Sequence, residues 1–152
     1  FSSMLRTVAP CLVLVGFFVA TALGAGQVLT PEEHAKIASG KDESVWVVEF
    51  MSTRCGSCKD FAPKWAQAAE QLSSSVKVGS FVIDKHMPYV NKLKILGDGG
   101  VPQVRVYHKK SGGKGTAIDT DMGTKPAGEI VAEVKKLLKN SAKDSNGIAL
   151  KK

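Results

Sequence analysis

The sequence feature that most constrains the fold is a pair of cysteines placed where an apolar run ends and a helical pattern begins. Residues 45–50 are almost continuously apolar and rich in β-branched and aromatic side chains, which is typical of a strand buried on both faces of a sheet. Cys55 follows this run, and Cys58 comes three residues later. A helix that begins here presents unpaired N–H groups to Cys55, and these favour its thiolate. Cys58 lies one turn inside that helix, so the two thiols are predicted to act as a redox pair.

Strand patterns recur along the rest of the chain. They are short, rich in apolar or β-branched residues and bounded by turn-forming residues. Besides the run at 45–50, four segments are predicted as strands: 28–29, 76–83, 103–107 and 116–118.

Helical patterns separate these strands. Thr30 followed by Pro31 predicts a helix start, because a hydroxyl caps free N–H groups and proline suits the first helical position. Behind the cysteines, apolar side chains recur at helical spacing, and Pro63 within that pattern predicts a kink. The alternation of strands and helices predicts an α/β fold with a central mixed sheet flanked by helices. The large aromatic residues expected in its core are Phe61, Trp65 and Tyr107.

The first residues have the layout of a secretory signal peptide, predicted over 1–26. Arg6 precedes a mostly apolar stretch at 8–23, and small residues follow it. We expect cleavage near Ala25 or Gly26. An uncleaved membrane anchor is the alternative, because about 20 apolar residues can span a bilayer.

Removal of this segment leaves enough chain for one domain with one core. We predict a domain over 27–139 and a disordered polar tail over 140–152. The formal net charge of +7 is scattered along the sequence without an aromatic and basic stripe. Such a distribution favours a solvated surface, so neither a nucleic-acid partner nor, after signal removal, a membrane partner is expected.

The cysteine count supports a redox role for the pair. Of the three cysteines, Cys11 falls in the signal segment, so the mature chain would retain only Cys55 and Cys58. None is then left for a separate structural bridge. In an oxidising compartment, a small protein with this one C-x-x-C pair is expected to use it for disulfide exchange.

Half of a zinc site is the alternative use of two such thiols. Zinc needs further ligands, and His34, His86 and His108 are far apart and not spaced as a ligand motif. We therefore predict no metal and no cofactor, and expect the three histidines at the solvated surface.

Several segments resemble the thioredoxin superfamily and, more closely, the catalytic domains of protein disulfide isomerases. The resemblance covers roughly 28–138, nearly all of the predicted mature chain. The matching segments follow in the family's order: the strand at 47–50, the active site at 55–59, the kinked helix at 62–63, the cis-proline loop at 100–102, and the last turn and helix at 123–125 and 130–131.

The resemblance implies a thioredoxin fold and thiol–disulfide exchange with cysteine-containing client polypeptides, with a redox partner protein or glutathione as electron partner. Cys55 would attack a client, and Cys58 would resolve the mixed disulfide. Glu49 would accept the proton of Cys58, because burial raises the pKa of a carboxyl group toward neutrality. A cis peptide at Pro102 would turn the backbone of Val101 toward Cys55, where it can pair with an extended client.

The chain departs from the family at positions that tune the thiols. Arg54 stands where the family usually has tryptophan, and Ser57 stands where isomerases have histidine and thioredoxins have proline. Gly56 and Ser57 lie between the cysteines, while Lys125 replaces an arginine that helps the second cysteine titrate in isomerases. In the family, a lysine inside the next strand usually partners the buried acid. The strand at 76–83 has a lysine only at its start, Lys77, so this internal partner is absent. We expect Arg54 to compensate partly for the missing histidine charge.

Three functions fit this sequence. The first is an isomerase-type oxidoreductase in the lumen of the endoplasmic reticulum, or secreted. The second is a thioredoxin-type reductase, which requires a more stable Cys55–Cys58 disulfide. The third is a redox-inert binding module that uses the groove at Val101 and Pro102 without chemistry.

Overall fold

Five strands form one sheet in the part of the chain that the computed structural model describes, residues 26–118 and 125–149. In chain order they are β1 (Gln27–Val28), β2 (Trp46–Met51), β3 (Lys77–Val82), β4 (Gln103–Tyr107) and β5 (Thr116–Ala117). All five predicted strands are confirmed, and their ends differ by at most one residue from the predicted ones. Strands β1 and β5 are only two residues long.

The sheet is mixed, as predicted, and its order is β1-β3-β2-β4-β5. Strand β2 is central: it runs parallel to β3 and antiparallel to β4. The edge strand β1 is parallel to β3, and the opposite edge strand β5 is antiparallel to β4. The carboxyl ends of β2 and β3 therefore meet at one edge of the sheet, where the segment with the cysteines begins.

Helices cover both faces of the sheet. They are α1 (Pro31–Ala38), α2 (Gly56–Ser73), α3 (Met87–Leu93) and α4 (Ala127–Ala149), with a short 3-10 turn at Gly97–Gly99. Because successive strand residues point to opposite faces, Val47 packs with α2 and α4 while Val48 packs with α1 and α3. Within the described segments, no helix combines the length and apolar character needed to cross a bilayer.

The last helix corrects one expectation. Helix α4 continues to Ala149, so residues 140–149, predicted as part of a disordered tail, are helical. Within this stretch, the hydroxyl of Ser141 donates to the carbonyl oxygen of Leu137 at 3.0 Å and lies 3.3 Å from Nε2 of His108, which follows β4. The predicted signal peptide, apart from Gly26, lies outside the described residues.

The core contains the predicted aromatic residues and one histidine that we placed wrongly. Phe61, Trp65 and Tyr107 are buried, as predicted. His34, expected at the surface, is also completely buried, whereas His86 and His108 are half-buried. The amphipathic helix α1 turns His34 inward, together with Ile37 one turn later.

Two tyrosine hydroxyls make the burial of His34 tolerable. Nδ1 lies 2.8 Å from the hydroxyl of Tyr89, and Nε2 lies 2.8 Å from that of Tyr107. The rings of Phe50 and Phe81 meet the imidazole nearly edge-on, with centroids 5.3 and 5.5 Å away. Both ring nitrogens therefore have protein hydrogen-bond partners in an otherwise apolar environment. A histidine at the surface would not need them, because water could take their place.

His34 should make the fold sensitive to acid. Burial, with a smaller contribution from the charge of Arg105, lowers the pKa of His34 from 6.5 to about 4. The unfolded chain then takes up a proton at a higher pH than the folded chain. The free energy of unfolding contributed by this group should fall by about 3 kcal/mol as pH falls from 6.5 to 4.

Urea unfolding at a series of pH values checks this prediction. A His34→Gln variant has no imidazole to protonate, so its loss of stability relative to the original chain should shrink as pH falls from 6.5 to 4. Parallel stability curves for the two proteins would show that His34 is not the acid-sensitive group.

Candidate active site

Cys55 lies at the junction of β2 and α2, where it caps the helix. The N–H of Cys58 donates to Sγ of Cys55 at 3.2 Å, which is the hydrogen bond of an N-cap side chain. The hydroxyl of Ser57 lies 3.1 Å from the same sulfur. Cys55 is partly exposed, and its thiol can also donate to the carbonyl oxygen of Val101 at 3.6 Å. The helix terminus thus directs donors at a sulfur that is accessible from the solvent.

The two thiols have opposite acidities. Burial raises the pKa of Cys55, but hydrogen bonds from the thiol of Cys58 and from Ser57 outweigh this effect, so its pKa is lowered. Cys58 is completely buried, and both burial and its hydrogen bond to Cys55 raise its pKa to about 12. Both thiols are free. At neutral pH, Cys55 is therefore the thiol that is both reachable and more readily ionised.

Glu49 lies in β2 on the face covered by α2. Its side chain is 2% exposed, and burial raises its pKa to about 7 despite a hydrogen bond from Ser80. The hydroxyl of Ser80 donates to Oε2 of Glu49 at 3.1 Å. The charge of Glu49 in turn raises the pKa of Cys58. The buried acid that the sequence singled out therefore acts electrostatically on the buried cysteine, and its pKa lies near neutrality. Its role in proton transfer remains a prediction.

The peptide between Val101 and Pro102 is cis, which confirms the predicted conformation. It immediately precedes β4, and the carbonyl oxygen of Val101 lies 3.6 Å from Sγ of Cys55. Both residues are half-buried. The loop therefore presents backbone groups beside the sulfur, as recognition of an extended chain requires.

A carboxylate that the sequence analysis missed anchors the loop before Cys55. Oδ1 of Asp84 accepts from the hydroxyl of Ser52 at 2.5 Å, and Oδ2 accepts from the N–H and the hydroxyl of Thr53 at 3.0 and 2.6 Å. These hydrogen bonds lower the pKa of Asp84 to about 2, and the bond from Ser52 makes the largest contribution. A signal was available, because Asp84 follows β3 just as Ser52 follows the parallel strand β2.

The other predicted tuning residues have different surroundings. Arg54 is exposed, and its charge lowers the pKa of Asp84. Gly56 begins α2, and a Cβ added there would meet no heavy atom within 4 Å, so the surface beside Cys55 is open. Lys125 is half-buried just before α4. Effects of Arg54 and Lys125 on the thiols remain predictions, as does the role of Val101 and Pro102 in client binding.

The site thus combines two cysteines, a buried acid and a cis-proline loop at one end of the sheet. In the described segments, no three histidine, cysteine, aspartate or glutamate side chains are grouped so that they could hold a metal ion. The chemistry that this arrangement allows is exchange between the dithiol and a disulfide bond.

Comparison with known proteins places this arrangement in a family. The family model described as Thioredoxin matches residues 25–136. The chain is 31% identical over 104 residues to the protein disulfide-isomerase A6 homolog of Drosophila melanogaster. The aligned region covers 68% of the chain and 23% of that relative. It is 39% identical over 67 residues to the protein disulfide isomerase-like 2-3 of Oryza sativa, covering 44% of the chain and 14% of that relative. The chain thus spans less than a quarter of the length of these relatives.

Solved structures show the same fold. The Trx4 domain of ERdj5 superposes with a TM-score of 0.62 at 23% identity, covering 78% of the chain and 99% of that domain. Chloroplastic thioredoxin z superposes with a TM-score of 0.56 at 26% identity, covering 75% of the chain and 95% of that protein. The sheet order, the cysteine pair at the start of α2, the cis-proline loop and the family match lead to one conclusion: the chain belongs to the thioredoxin family.

Proposed function

We propose that this chain is a thiol–disulfide oxidoreductase of the protein disulfide isomerase type, which forms, breaks or rearranges disulfide bonds in cysteine-containing polypeptides. The observation that carries the proposal is the asymmetry of the pair: Cys55 is partly exposed with a lowered pKa, while Cys58 is buried with a raised one. A pair that served only as a structural bridge would need neither the exposure nor the opposite shifts.

The first step is attack by the thiolate of Cys55 on a client disulfide. A bond forms between Sγ of Cys55 and one client sulfur, the client S–S bond breaks, and the second client sulfur leaves as a thiolate. The N–H of Cys58 and the hydroxyl of Ser57 stabilise the attacking thiolate. The cis-proline loop lies beside the sulfur, where it can hold the client backbone.

The second step is resolution by Cys58. Glu49 as carboxylate takes the proton of Cys58, and the resulting thiolate attacks Sγ of Cys55. The mixed disulfide breaks, the client leaves with the electron pair as a thiolate, and Cys55 and Cys58 become a disulfide. The dithiol is oxidised and the client disulfide is reduced by two electrons. Run in reverse, the same steps donate a disulfide to a client.

The two relatives described above favour the isomerase assignment over the two alternatives, because both are named protein disulfide isomerases. A reductase would use the same first step but retain a more stable disulfide. A redox-inert binding module would not require a thiol with a lowered pKa at the helix terminus.

Recovery of activity by a scrambled disulfide-bonded enzyme, in a glutathione buffer, tests the proposal. The chain should accelerate recovery, and Cys55→Ser, which keeps the size of the side chain, should abolish the acceleration. An exposed substitution distant from the thiols, Glu70→Gln, is the control and should retain it. Equal acceleration by Cys55→Ser would leave only a binding function.

We also propose that residues 1–26 direct the chain into the secretory pathway and that it acts in the lumen of the endoplasmic reticulum. The charged start, the apolar stretch and the small residues after it support this assignment. Expressed in a cell with a secretory pathway, the mature protein should begin between Gly24 and Gln27, which N-terminal sequencing determines. An intact chain recovered from membranes would favour the anchor instead.

A further inference from the structure

The hydroxyl of Ser80 lies between two buried polar groups at the centre of the site. Nε1 of Trp65 donates to Oγ of Ser80 at 3.1 Å, and Oγ of Ser80 donates to Oε2 of Glu49 at the same distance. All three side chains are buried. We call this chain of hydrogen bonds the Trp65–Ser80–Glu49 relay. It ends at the buried acid, and the only lysine in β3 is the first residue of that strand.

The direction of the relay follows from its chemistry. An indole N–H can only donate, so Oγ of Ser80 must accept from Trp65. The Ser80 hydroxyl donates its single proton to Oε2 of the Glu49 carboxylate, so this oxygen is an acceptor in the ionised site. While this hydrogen bond is kept, a proton that Glu49 takes up is carried on Oε1.

Two elements fix the relay in place. Strands β2 and β3 pair in a parallel register that sets Glu49 beside Ser80. Helix α2 contributes both Trp65 and Cys58, which lie seven residues apart and so on one face of the helix. The relay thus links the strand that carries the acid to the helix that carries the resolving cysteine.

We infer that Ser80, oriented by Trp65, is a positioning residue that reserves Oε2 of Glu49 and leaves Oε1 for proton exchange with Cys58. This inference rests on the proposed function, in which Cys58 must lose a proton to resolve the mixed disulfide. The neighbours of Glu49 on the paired strands are Ser80 of β3 and Val104 of β4, and Cys58 of α2 is the titratable group on which its charge acts.

The hydroxyl also opposes the effect of burial on the acid. Burial raises the pKa of Glu49, and the hydrogen bond from Ser80 lowers it. Loss of the hydroxyl should therefore raise the pKa of Glu49 further, and fewer molecules would hold the carboxylate that accepts the proton of Cys58 at neutral pH.

Ser80→Thr and Ser80→Val form a matched pair for the test, because their side chains have nearly the same shape and only threonine retains a hydroxyl. The titration of the Glu49 carboxyl is followed by NMR in the reduced, full-length protein. Its midpoint should move upward in Ser80→Val and stay near that of the original chain in Ser80→Thr. If the larger side chains prevent folding, Ser80→Ala is compared with the original chain in the same titration.

The second readout is the rate of resolution. Reduced protein is mixed with oxidised glutathione, and quenched flow follows the step in which Cys58 displaces glutathione from Cys55. At pH 7 this step should be about tenfold slower in Ser80→Val than in Ser80→Thr, since a hydrogen bond to a charged group shifts an equilibrium by about tenfold or more. The two rates should converge as pH rises and Glu49 ionises in both variants.

Two results would overturn the inference. One is a Glu49 midpoint that does not differ between Ser80→Val and Ser80→Thr. The other is a midpoint that moves while the pH profile of resolution does not. Neither result bears on the proposed function, which depends on whether Cys55 exchanges disulfides with clients at all.

Discussion

Replacing Cys58 with alanine should trap client proteins on Cys55 as stable mixed disulfides. Attack requires only the thiolate of Cys55, which hydrogen bonds from the helix terminus stabilise. Release requires Cys58, and without it the mixed disulfide persists until another thiol arrives. We expect many-fold more covalent adducts than in the original chain, seen on non-reducing gels of cells that express the variant and absent from a reducing lane.

The reverse replacement is the matched control. In Cys55→Ala the remaining thiol, Cys58, is completely buried. Burial is the largest cause of its raised pKa and does not depend on Cys55, so this thiol is neither readily ionised nor within reach of a client. This variant should trap few clients or none. Equal trapping by both variants would refute the assignment of attacking and resolving cysteines, and trapping by neither would favour the binding-module function.

Replacing Glu49 with glutamine should stabilise the fold at neutral and alkaline pH. Burial raises the pKa of Glu49 from 4.5 to about 7, so the folded chain binds this proton more tightly than the unfolded chain does. The stability that this group contributes is highest below pH 4.5 and is lost as pH rises toward 7. Removing the charge should therefore raise the free energy of unfolding by up to about 3 kcal/mol above pH 7, and by little near pH 4.5.

Urea unfolding at pH 4.5 and pH 8 measures this effect. Glu70→Gln removes a carboxylate from an exposed position of α2 and should change the free energy of unfolding by less than about 0.5 kcal/mol at either pH. Glu49→Gln should also slow the release of clients, because the amide cannot accept the proton of Cys58. A loss of stability at pH 8 would show instead that the carboxylate is held by hydrogen bonds that outweigh its burial.

The effects of Glu49 and His34 on stability oppose each other. As pH falls from 6.5 to 4.5, the chain gains stability from Glu49 and loses it from His34. The stability of the original chain should therefore change little in this range, whereas Glu49→Gln should become clearly less stable as the solution is acidified.

The parts of this structure that the sequence predicted are those specified by local patterns. The strands, the helix that Cys55 caps, and the cis peptide at Pro102 each follow from residues adjacent in the chain or from a motif in the family's order. Glu49 was singled out for the same reason, because a lone acid inside an apolar run is visible without a structure.

The missed features depend on how distant segments meet. Ser80 contacts Glu49 because of the register between two parallel strands, and a shift of one residue would turn its hydroxyl to the other face. His34 lies on the buried face of α1, and two tyrosines from other elements supply the hydrogen bonds that its buried ring needs. Asp84 binds the loop before Cys55 because two strand ends lie side by side. None of these distances can be read from one segment alone.

The reduction potential of the Cys55–Cys58 couple is the most direct test of the function proposed for this chain. The protein is equilibrated in glutathione buffers of graded ratio, free thiols are alkylated, and the fraction with an internal disulfide is determined by mass. We predict a single two-electron transition at or above about −210 mV, within the range of the endoplasmic reticulum and its isomerase. A value near −270 mV would indicate a reductase, and the absence of a Cys55–Cys58 disulfide in every buffer would contradict the account.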